Sequence, residues 1–374
     1  MGNDSKRKTI LITGDVGPCR KKQGTIFDRV RPVLAGCDLG ICQLEPALSR
    51  RGTPLPQARL AMRTDPGAAK AIREAGFHAV SFASNHCMDW GREAFFDTIE
   101  ALRASGLAPV GVGTNIQEAR QPAQFDLGGV RVAILAYNSI LPMGYWAEAN
   151  RPGCVPLRAW TLYEQIEHDQ PGTPARIHTF VNRDDLEAMR EDIRLAKAGA
   201  DVVIAMMHWG IHFIPAVLSA YQREAARAAI DAGADLIAGH HPHLLKGVEI
   251  YRGKVILYSL GNFALDLPTA FEEDVLDSEG FRDIQSLNPG FQPGTKSFLP
   301  PETLKTVIAR CTIQDGAIES ISLLPAYLNE MAEPEMLNAD DPRFSEVLEY
   351  LQDATAREGL NAILRQEGAE IRMR

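Results

Sequence analysis

The chain has 374 residues, 45% hydrophobic and 23% charged, so it can bury a large core as one big domain or two ordinary ones. Its formal net charge of −9 argues against a general binder of nucleic acids or anionic membranes, because the summed field repels polyanions. We therefore expect a small-molecule or peptide-like substrate as partner, with no nucleic acid and no membrane.

The amino-terminal stretch and the cysteines predict a cytoplasmic protein. Residues 9–13 form an apolar stretch too short for the core of a signal peptide or for a membrane span. The six cysteines form no C-x-x-C pair, which is typical of reduced thiols rather than a disulfide framework.

Short β-branched runs alternate with helical stretches rich in Ala, Arg and Glu, which is typical of an α/β fold. The first predicted strand, in KTILITGD, ends at Asp15. Three times a helical stretch stops at or near a glycine and a strand follows; these glycines are Gly76, Gly199 and Gly233. The three strands run into Asn85, His208 and His240.

Polar side chains concentrate at the predicted carboxyl ends of these strands, where α/β sheets bind ligands. They are Asp15, Asn85, His86, His208, His241 and His243, and Glu45 follows another strand-like run. In an extended segment, His241 and His243 would face one point while His240 points away. A single histidine at a strand end is usually structural, but this set suits two divalent cations such as Mn²⁺, Fe²⁺ or Zn²⁺.

Two long irregular segments, 139–180 and 264–300, separate the stronger elements, and such connections commonly form lids or binding walls. We predict that both cover the site and select the substrate. Their large aromatic residues are Tyr145, Trp146, Trp160, Phe271, Phe281 and Phe291. An amphipathic stretch near the carboxyl terminus predicts a helix.

The motifs GDVGPCR, QLEPAL, SNHCMDWG, MMHWG and GADLIAGHHPHLLKGVEIYRGKVILYSLGNF resemble, in the same order, those of the CapA or poly-gamma-glutamate-synthesis family. This family belongs to the calcineurin-like metallophosphatase superfamily. The resemblance implies an α/β fold built as a four-layer α/β/β/α sandwich, in a domain of residues 8–330 followed by a C-terminal helical extension of residues 331–374.

The resemblance also implies roles for individual residues. Asp15 and His243 would hold one metal ion, with Glu45 bridging to a second. The ligands of the second ion would be Asn85, His208 and His241. His86 occupies the position of the general acid, and Asp15 is counted with it as catalytic. Val16 and Gly17 follow Asp15 where many superfamily members have Asp-x-His, so the first ion has one imidazole ligand fewer and is expected to bind more weakly.

Four further residues are candidates near the site. Arg20 could bind an anionic substrate group through charge-assisted hydrogen bonds, or belong to a solvated basic run. Ser259 and Asn262 could donate to the substrate, or serve a tight turn. Asp89 could orient a histidine as a neighbouring carboxylate, or cap a turn.

Three functions remain open from the sequence, besides a non-enzymatic binding module, which the concentration of polar residues at strand ends disfavours. The leading hypothesis is a metal-dependent hydrolase of a phosphoester or of an amide in a small or peptide-like substrate. The second is an accessory role in poly-gamma-glutamate or capsule biosynthesis. The third is an isomerase or peptide epimerase that uses the same acid and base groups, even without metal.

Overall fold

A computed structural model describes residues 7–266, 279–286 and 300–374. Its strands are β1 (Arg7–Gly17), β2 (Leu39–Leu44), β3 (Ala47–Leu48), β4 (Arg63–Thr64), β5 (Ala79–Ser81), β6 (Ala108–Val110), β7 (Val112–Gly113), β8 (Ala123–Asp126), β9 (Arg131–Asn138), β10 (Gly153–Cys154), β11 (Ala159–Glu164), β12 (Arg176–Val181), β13 (Val202–His208), β14 (Leu236–His240), β15 (Val248–Tyr251), β16 (Lys254–Leu257), β17 (Asn262–Leu265), β18 (Lys305–Gln314), β19 (Ala317–Leu328), β20 (Pro334–Met336), β21 (Leu364–Glu367) and β22 (Glu370–Met373). Its helices are α1 (Arg31–Leu34), α2 (Gly67–Ala75), α3 (Gly91–Ala104), α4 (Ile116–Ala119), α5 (Arg183–Gly199), α6 (Ala220–Ala232), α7 (Glu279–Ser286) and α8 (Pro342–Arg357). Short 3₁₀ helices cover Gln23–Phe27 and Pro301–Leu304.

Two large sheets form the centre of the molecule. The first has the order β21-β22-β19-β18-β1-β2-β5-β6, with β17 also paired to β1 and β20 to β19. The second has the order β15-β16-β14-β13-β9-β8. Strands β1, β2, β5 and β6 run parallel, as do β9, β13, β14 and β16, so the carboxyl ends of each set meet at one edge.

Alternate residues of β13 enter two different cores, because successive side chains of a strand point to opposite faces. Ile204 and Met206 belong to the core that includes the first sheet, whereas Val203 and Met207 pack with α5 and α6 on the outer face. Helices α2 and α3 contribute buried residues to the core on the other side of the first sheet. The order of layers is therefore helix, sheet, sheet, helix, and the predicted four-layer α/β/β/α sandwich is confirmed.

Two of the three predicted glycine stops have the backbone conformation that the prediction requires. Gly76 ends α2 at φ 118° and Gly233 ends α6 at φ 119°, values that favour glycine because it lacks a Cβ. Gly199 differs, since it is the last residue of α5 and an extended Ala200 follows it.

The carboxyl-terminal residues continue the first sheet. Within the predicted extension 331–374, α8 packs on β19, and β22 pairs antiparallel with β19. The extension thus contains a hairpin as well as the predicted helix. Across the described ranges, no helix is long and apolar enough to cross a lipid bilayer.

The first irregular segment contains β10 and the hairpin β11–β12, whose strand β12 contacts α6. Much of the second segment, with Phe271 and Phe291, lies outside the described residues, as does the side chain of Phe281. The described part is α7, where Asp283 forms an ion pair with Arg59.

Candidate metal centre

The polar residues predicted to share a site meet where the two sheets present the carboxyl ends of their strands. Asp15 lies near the end of β1, in register with Asn262 of β17. Glu45 directly follows β2, and His208 is the last residue of β13. These side chains are buried, whereas Asn85 is partly buried in the turn after β5.

A close backbone approach places Asp15. The Asp15 N–H donates to the Gly261 carbonyl oxygen at 3.0 Å, and the pairing of β1 shifts register beside Asp15. A Cβ on Gly14 would lie 1.9 Å from that same oxygen, so no larger residue fits at position 14. The two strands can therefore converge, and the Asp15 carboxylate projects into the site.

His241 and His243 reach the site by a different route from the one predicted. Strand β14 ends at His240, and the next residues form a turn in which His241 has φ 92° and His243 has φ 57°. The extended His-x-His geometry predicted from sequence is therefore wrong, although the prediction that His240 points elsewhere is correct. The His240 Nε2–H donates to the Thr13 carbonyl oxygen at 3.0 Å. Left-handed backbone at residues other than glycine costs about 1 to 3 kcal/mol each and is concentrated at functional sites.

The side chains gather closely around Glu45. The Glu45 Oε1 lies 3.7 Å from His208 Nδ1, and its Oε2 lies 3.8 Å from His86 Nε2. Ligand atoms of Asp15, Glu45 and His208 all lie within 4.8 Å of one another. On the other edge of the cluster, His208 Nε2 donates to Asn85 Oδ1 at 2.7 Å.

The two histidines of the turn complete the cluster. His243 Nδ1 lies 3.4 Å from Asp15 Oδ2 and donates to Asn262 Oδ1 at 2.7 Å. The ring centroids of His208 and His241 are 4.9 Å apart, and those of His241 and His243 are 6.1 Å apart. The structure thus brings together all six predicted ligands, and metal binding itself stays a prediction.

Several buried polar atoms of this cluster have no hydrogen-bond partner among the described residues. They are Asp15 Oδ1, both carboxylate oxygens of Glu45, His208 Nδ1 and His241 Nδ1. Burying such groups unpaired is costly, and most buried polar atoms in proteins have a partner. A divalent cation accepts carboxylate oxygen and imidazole nitrogen together, as Mn²⁺, Fe²⁺ and Zn²⁺ sites do. The residues present therefore fit such an ion.

Burial and the neighbouring charges shift the pKa values of the residues in this cluster. Burial, and then the charge of Asp15, raise the pKa of Glu45 to about 7. Burial and neighbouring histidines hold the pKa values of His208 and His241 well below the ordinary value. Burial opposes a charge on His243, but its close contact with the Asp15 carboxylate, together with Glu45, prevails and raises its pKa to about 9.

His86 belongs to a chain of hydrogen bonds behind the cluster. Its Nδ1–H donates to Asp89 Oδ2 at 2.6 Å, and the Met62 N–H donates to the same oxygen at 2.8 Å. The Tyr145 hydroxyl donates to Asp89 Oδ1 at 2.9 Å. Burial opposes protonation of His86, yet the charge and hydrogen bond of Asp89 raise its pKa. Asp89 thus orients His86, and no sequence pattern indicated that Tyr145 would reach this carboxylate.

His212, a histidine outside the predicted set, also lies in the site. The His212 ring stacks on His241 with centroids 3.8 Å apart and lies 5.2 Å from His243. Burial, His243, His86 and Arg59 together hold the pKa of His212 well below its ordinary value. Its place four residues after His208, in HWGIH, is the sequence signal that could have indicated it.

The three predicted substrate-binding residues have different surroundings. The Arg20 guanidinium donates to Asp266, which follows β17, and to Glu333, which lies beyond β19. The Ser259 hydroxyl accepts from the Gly261 N–H at 3.2 Å, as in a tight turn. Asn262 accepts a hydrogen bond from His243 and so contacts the cluster directly.

One solved structure is distantly similar to this chain. Among solved structures, a hypothetical protein from Thermus thermophilus matches with a TM-score of 0.46 and 13% identity, covering 85% of this chain and 98% of that one. This likeness is too distant to support an argument.

Two curated relatives are more informative. The PGA biosynthesis protein CapA of Bacillus subtilis (strain 168) is 30% identical over 249 residues, which are 66% of this chain and 58% of that protein. The capsule biosynthesis protein CapA of Bacillus anthracis is 29% identical over 274 residues, 70% of this chain and 61% of that protein. The chain thus spans about three fifths of the length of these relatives. The family model for the bacterial capsule synthesis protein PGA_cap matches residues 9–267, and the chain therefore belongs to that family.

Proposed function

We propose that this protein is a metal-dependent hydrolase of a phosphoester or an amide bond in a small or peptide-like substrate. The observation that supports it best is the set of buried, unpartnered carboxylate and imidazole atoms beside His86. If these residues had a purely structural role, their buried atoms would stay unpaired at a high cost in folding free energy. A bound cation would give these atoms a partner.

The proposed division of ligands follows the geometry. Asp15 and His243 lie together and would hold one ion, with Glu45 shared between the two sites. The other ion would take Asn85, His208 and His241 as its remaining ligands. Val16 and Gly17 offer no imidazole beside Asp15, so the first site is the weaker.

In this proposal, the chain itself supplies proton transfer and orientation. A divalent ion at the site supplies Lewis acidity, which stabilises negative charge that develops on the substrate. His86 holds a proton at Nε2 and gives it to the leaving group, because Asp89 binds its Nδ1–H and fixes the ring. Tyr145 and the Met62 N–H occupy the lone pairs of Asp89 and thereby keep that carboxylate in place.

The test is a hydrolysis assay on protein loaded with Mn²⁺ or Zn²⁺. Substrates are p-nitrophenyl phosphate, bis-p-nitrophenyl phosphate and γ-glutamyl-p-nitroanilide. We expect one class to be cleaved, with activity that requires the ion and falls in His86→Ala but not in His178→Ala, which alters a partly exposed histidine of β12. Solvent deuterium appearing at a Cα without hydrolysis would instead identify an epimerase.

A second candidate is an accessory role in poly-gamma-glutamate or capsule biosynthesis, which the names of the curated relatives favour. Because the chain spans only part of those relatives, their role is carried over here as a proposal. Cytoplasmic residence also stays a proposal. Deletion of the gene in its own organism should change polymer or capsule amounts under this alternative.

A further inference from the structure

His212 lies in the loop between β13 and α6, and contacts with the histidine turn fix that loop. The Phe213 N–H donates to the Pro242 carbonyl oxygen at 3.1 Å, and Phe213 itself has φ 55°. The buried Lys246 ammonium donates to the Val217 carbonyl oxygen at 2.9 Å. Neighbouring contacts therefore hold a strained loop conformation in place.

The stacking of His212 separates it from the metal ligands. Its ring is inclined by 29° to His241 and by 27° to His243, so it faces both rings. An imidazole nitrogen binds an ion in the plane of its ring, so two nearly parallel stacked rings cannot both point a nitrogen at one ion. His208 and His241, inclined by 64°, can do so. His212 therefore covers the ligands without sharing their ion.

The Nε2 atom of His212 is buried and has no hydrogen-bond partner among the described residues. A molecule that enters the site and carries a hydrogen-bond acceptor could supply that partner. The Arg59 guanidinium, which is also paired with Asp283, acts on His212 with positive charge, and a positive neighbour favours an anion there.

We propose that His212 is a substrate-binding residue whose Nε2–H donates a hydrogen bond to an anionic oxygen of the substrate, either phosphoryl or carboxylate. This inference rests on the proposed function, because it places the reacting group next to the ions. It gives the substrate a negatively charged group beside the bond that is cleaved.

The test uses variants that separate hydrogen bonding from stacking. His212→Phe keeps a flat ring over His241 and His243 but removes the donor, and His212→Gln keeps a donor. His178→Phe is the matched control on an exposed strand. Metal content is measured by elemental analysis. The binding of inorganic phosphate and of acetate is measured by calorimetry on the Mn²⁺-loaded full chain.

We expect His212→Phe to keep its metal and to bind at least one anion about 10- to 100-fold more weakly, as for a lost hydrogen bond to a charged group. His212→Gln should recover part of the affinity. A larger loss for phosphate identifies a phosphoryl group, and a larger loss for acetate identifies a carboxylate.

Unchanged anion affinity in His212→Phe would overturn the inference and leave His212 a stacking residue. Loss of metal in that variant, or no anion binding by the natural protein, would overturn it as well. These outcomes are independent of the hydrolysis assay. A protein inactive on every substrate tested that still needs His212 for phosphate binding would contradict the proposed function alone.

Discussion

Replacing Glu45 by Gln should have opposite effects on the metal-free and the metal-bound protein. Without an ion, the folded chain holds a buried carboxylate next to Asp15, and burial with this neighbour raises the Glu45 pKa from 4.5 to about 7. The substituted glutamine side chain has nearly the same shape and no charge. The substitution should therefore raise the stability of the metal-free protein. It should also weaken metal binding, because it removes a charged ligand.

The size and sign of the effect follow from this pKa. The difference between 4.5 and about 7 corresponds to about 3 kcal/mol, at 1.36 kcal/mol for each pKa unit. Because folded Glu45 keeps its proton to higher pH than unfolded Glu45, its contribution to stability is fully present below pH 4.5 and is lost as pH rises through 7. At pH 8 in chelator, Glu45→Gln should be more stable by up to about 3 kcal/mol, and below pH 4.5 the two proteins should be alike.

Urea denaturation at pH 8 and at pH 4, with chelator or with Mn²⁺, measures both effects. Mn²⁺ at 100 times its dissociation constant should stabilise the natural protein by about 2.7 kcal/mol and leave the variant nearly unchanged. The control is Glu249→Gln, because Glu249 is equally buried but bonded to Arg227 and Tyr258. This control should be destabilised whether or not Mn²⁺ is present.

A metal-free Glu45→Gln protein less stable than the natural one at pH 8 would refute the reasoning. So would a variant that Mn²⁺ stabilises as strongly as it stabilises the natural chain.

Three further substitutions test other parts of the site. His86→Ala should keep its metal, by elemental analysis, and lower turnover on the order of 10²- to 10⁴-fold, the usual contribution of a general acid; metal loss would mean that His86 is a ligand. His240→Ala should also keep its metal, since this ring bonds a strand carbonyl, whereas His241→Ala should lose it; equal loss in both would contradict the assignment. Tyr145→Phe should lower stability by about 1 to 2 kcal/mol and turnover several-fold at unchanged metal content, because Asp89 loses a buried donor; full activity would show that the phenol is dispensable.

The sequence was sufficient for the elements that local patterns encode. Helices ending at Gly76 and Gly233 and strands leading into His208 and His240 follow from hydrophobic periodicity and glycine conformation. Parallel strands then place their carboxyl ends together, so the gathering of polar residues could be predicted as well.

Features that depend on contacts between distant segments could not be predicted in this way. The turn at His241 and His243 takes a left-handed conformation that is rare outside glycine, so the extended strand was the natural expectation. Tyr145 reaches Asp89 across 56 residues, and His212 is placed by a loop bonded to the next strand's turn. Neither contact leaves a periodic signal along the chain.

The central claim is that the Glu45 carboxylate is shared by two metal ions, one held with Asp15 and His243 and the other with Asn85, His208 and His241. The direct test is an anomalous difference map from crystals of the protein soaked in Mn²⁺. We predict a peak beside the Glu45 carboxylate and at least one of these two sets of ligands, roughly 2.0 to 2.3 Å from its ligand atoms. A map with no peak there, at a Mn²⁺ concentration that saturates other sites on the protein, would contradict the metal centre.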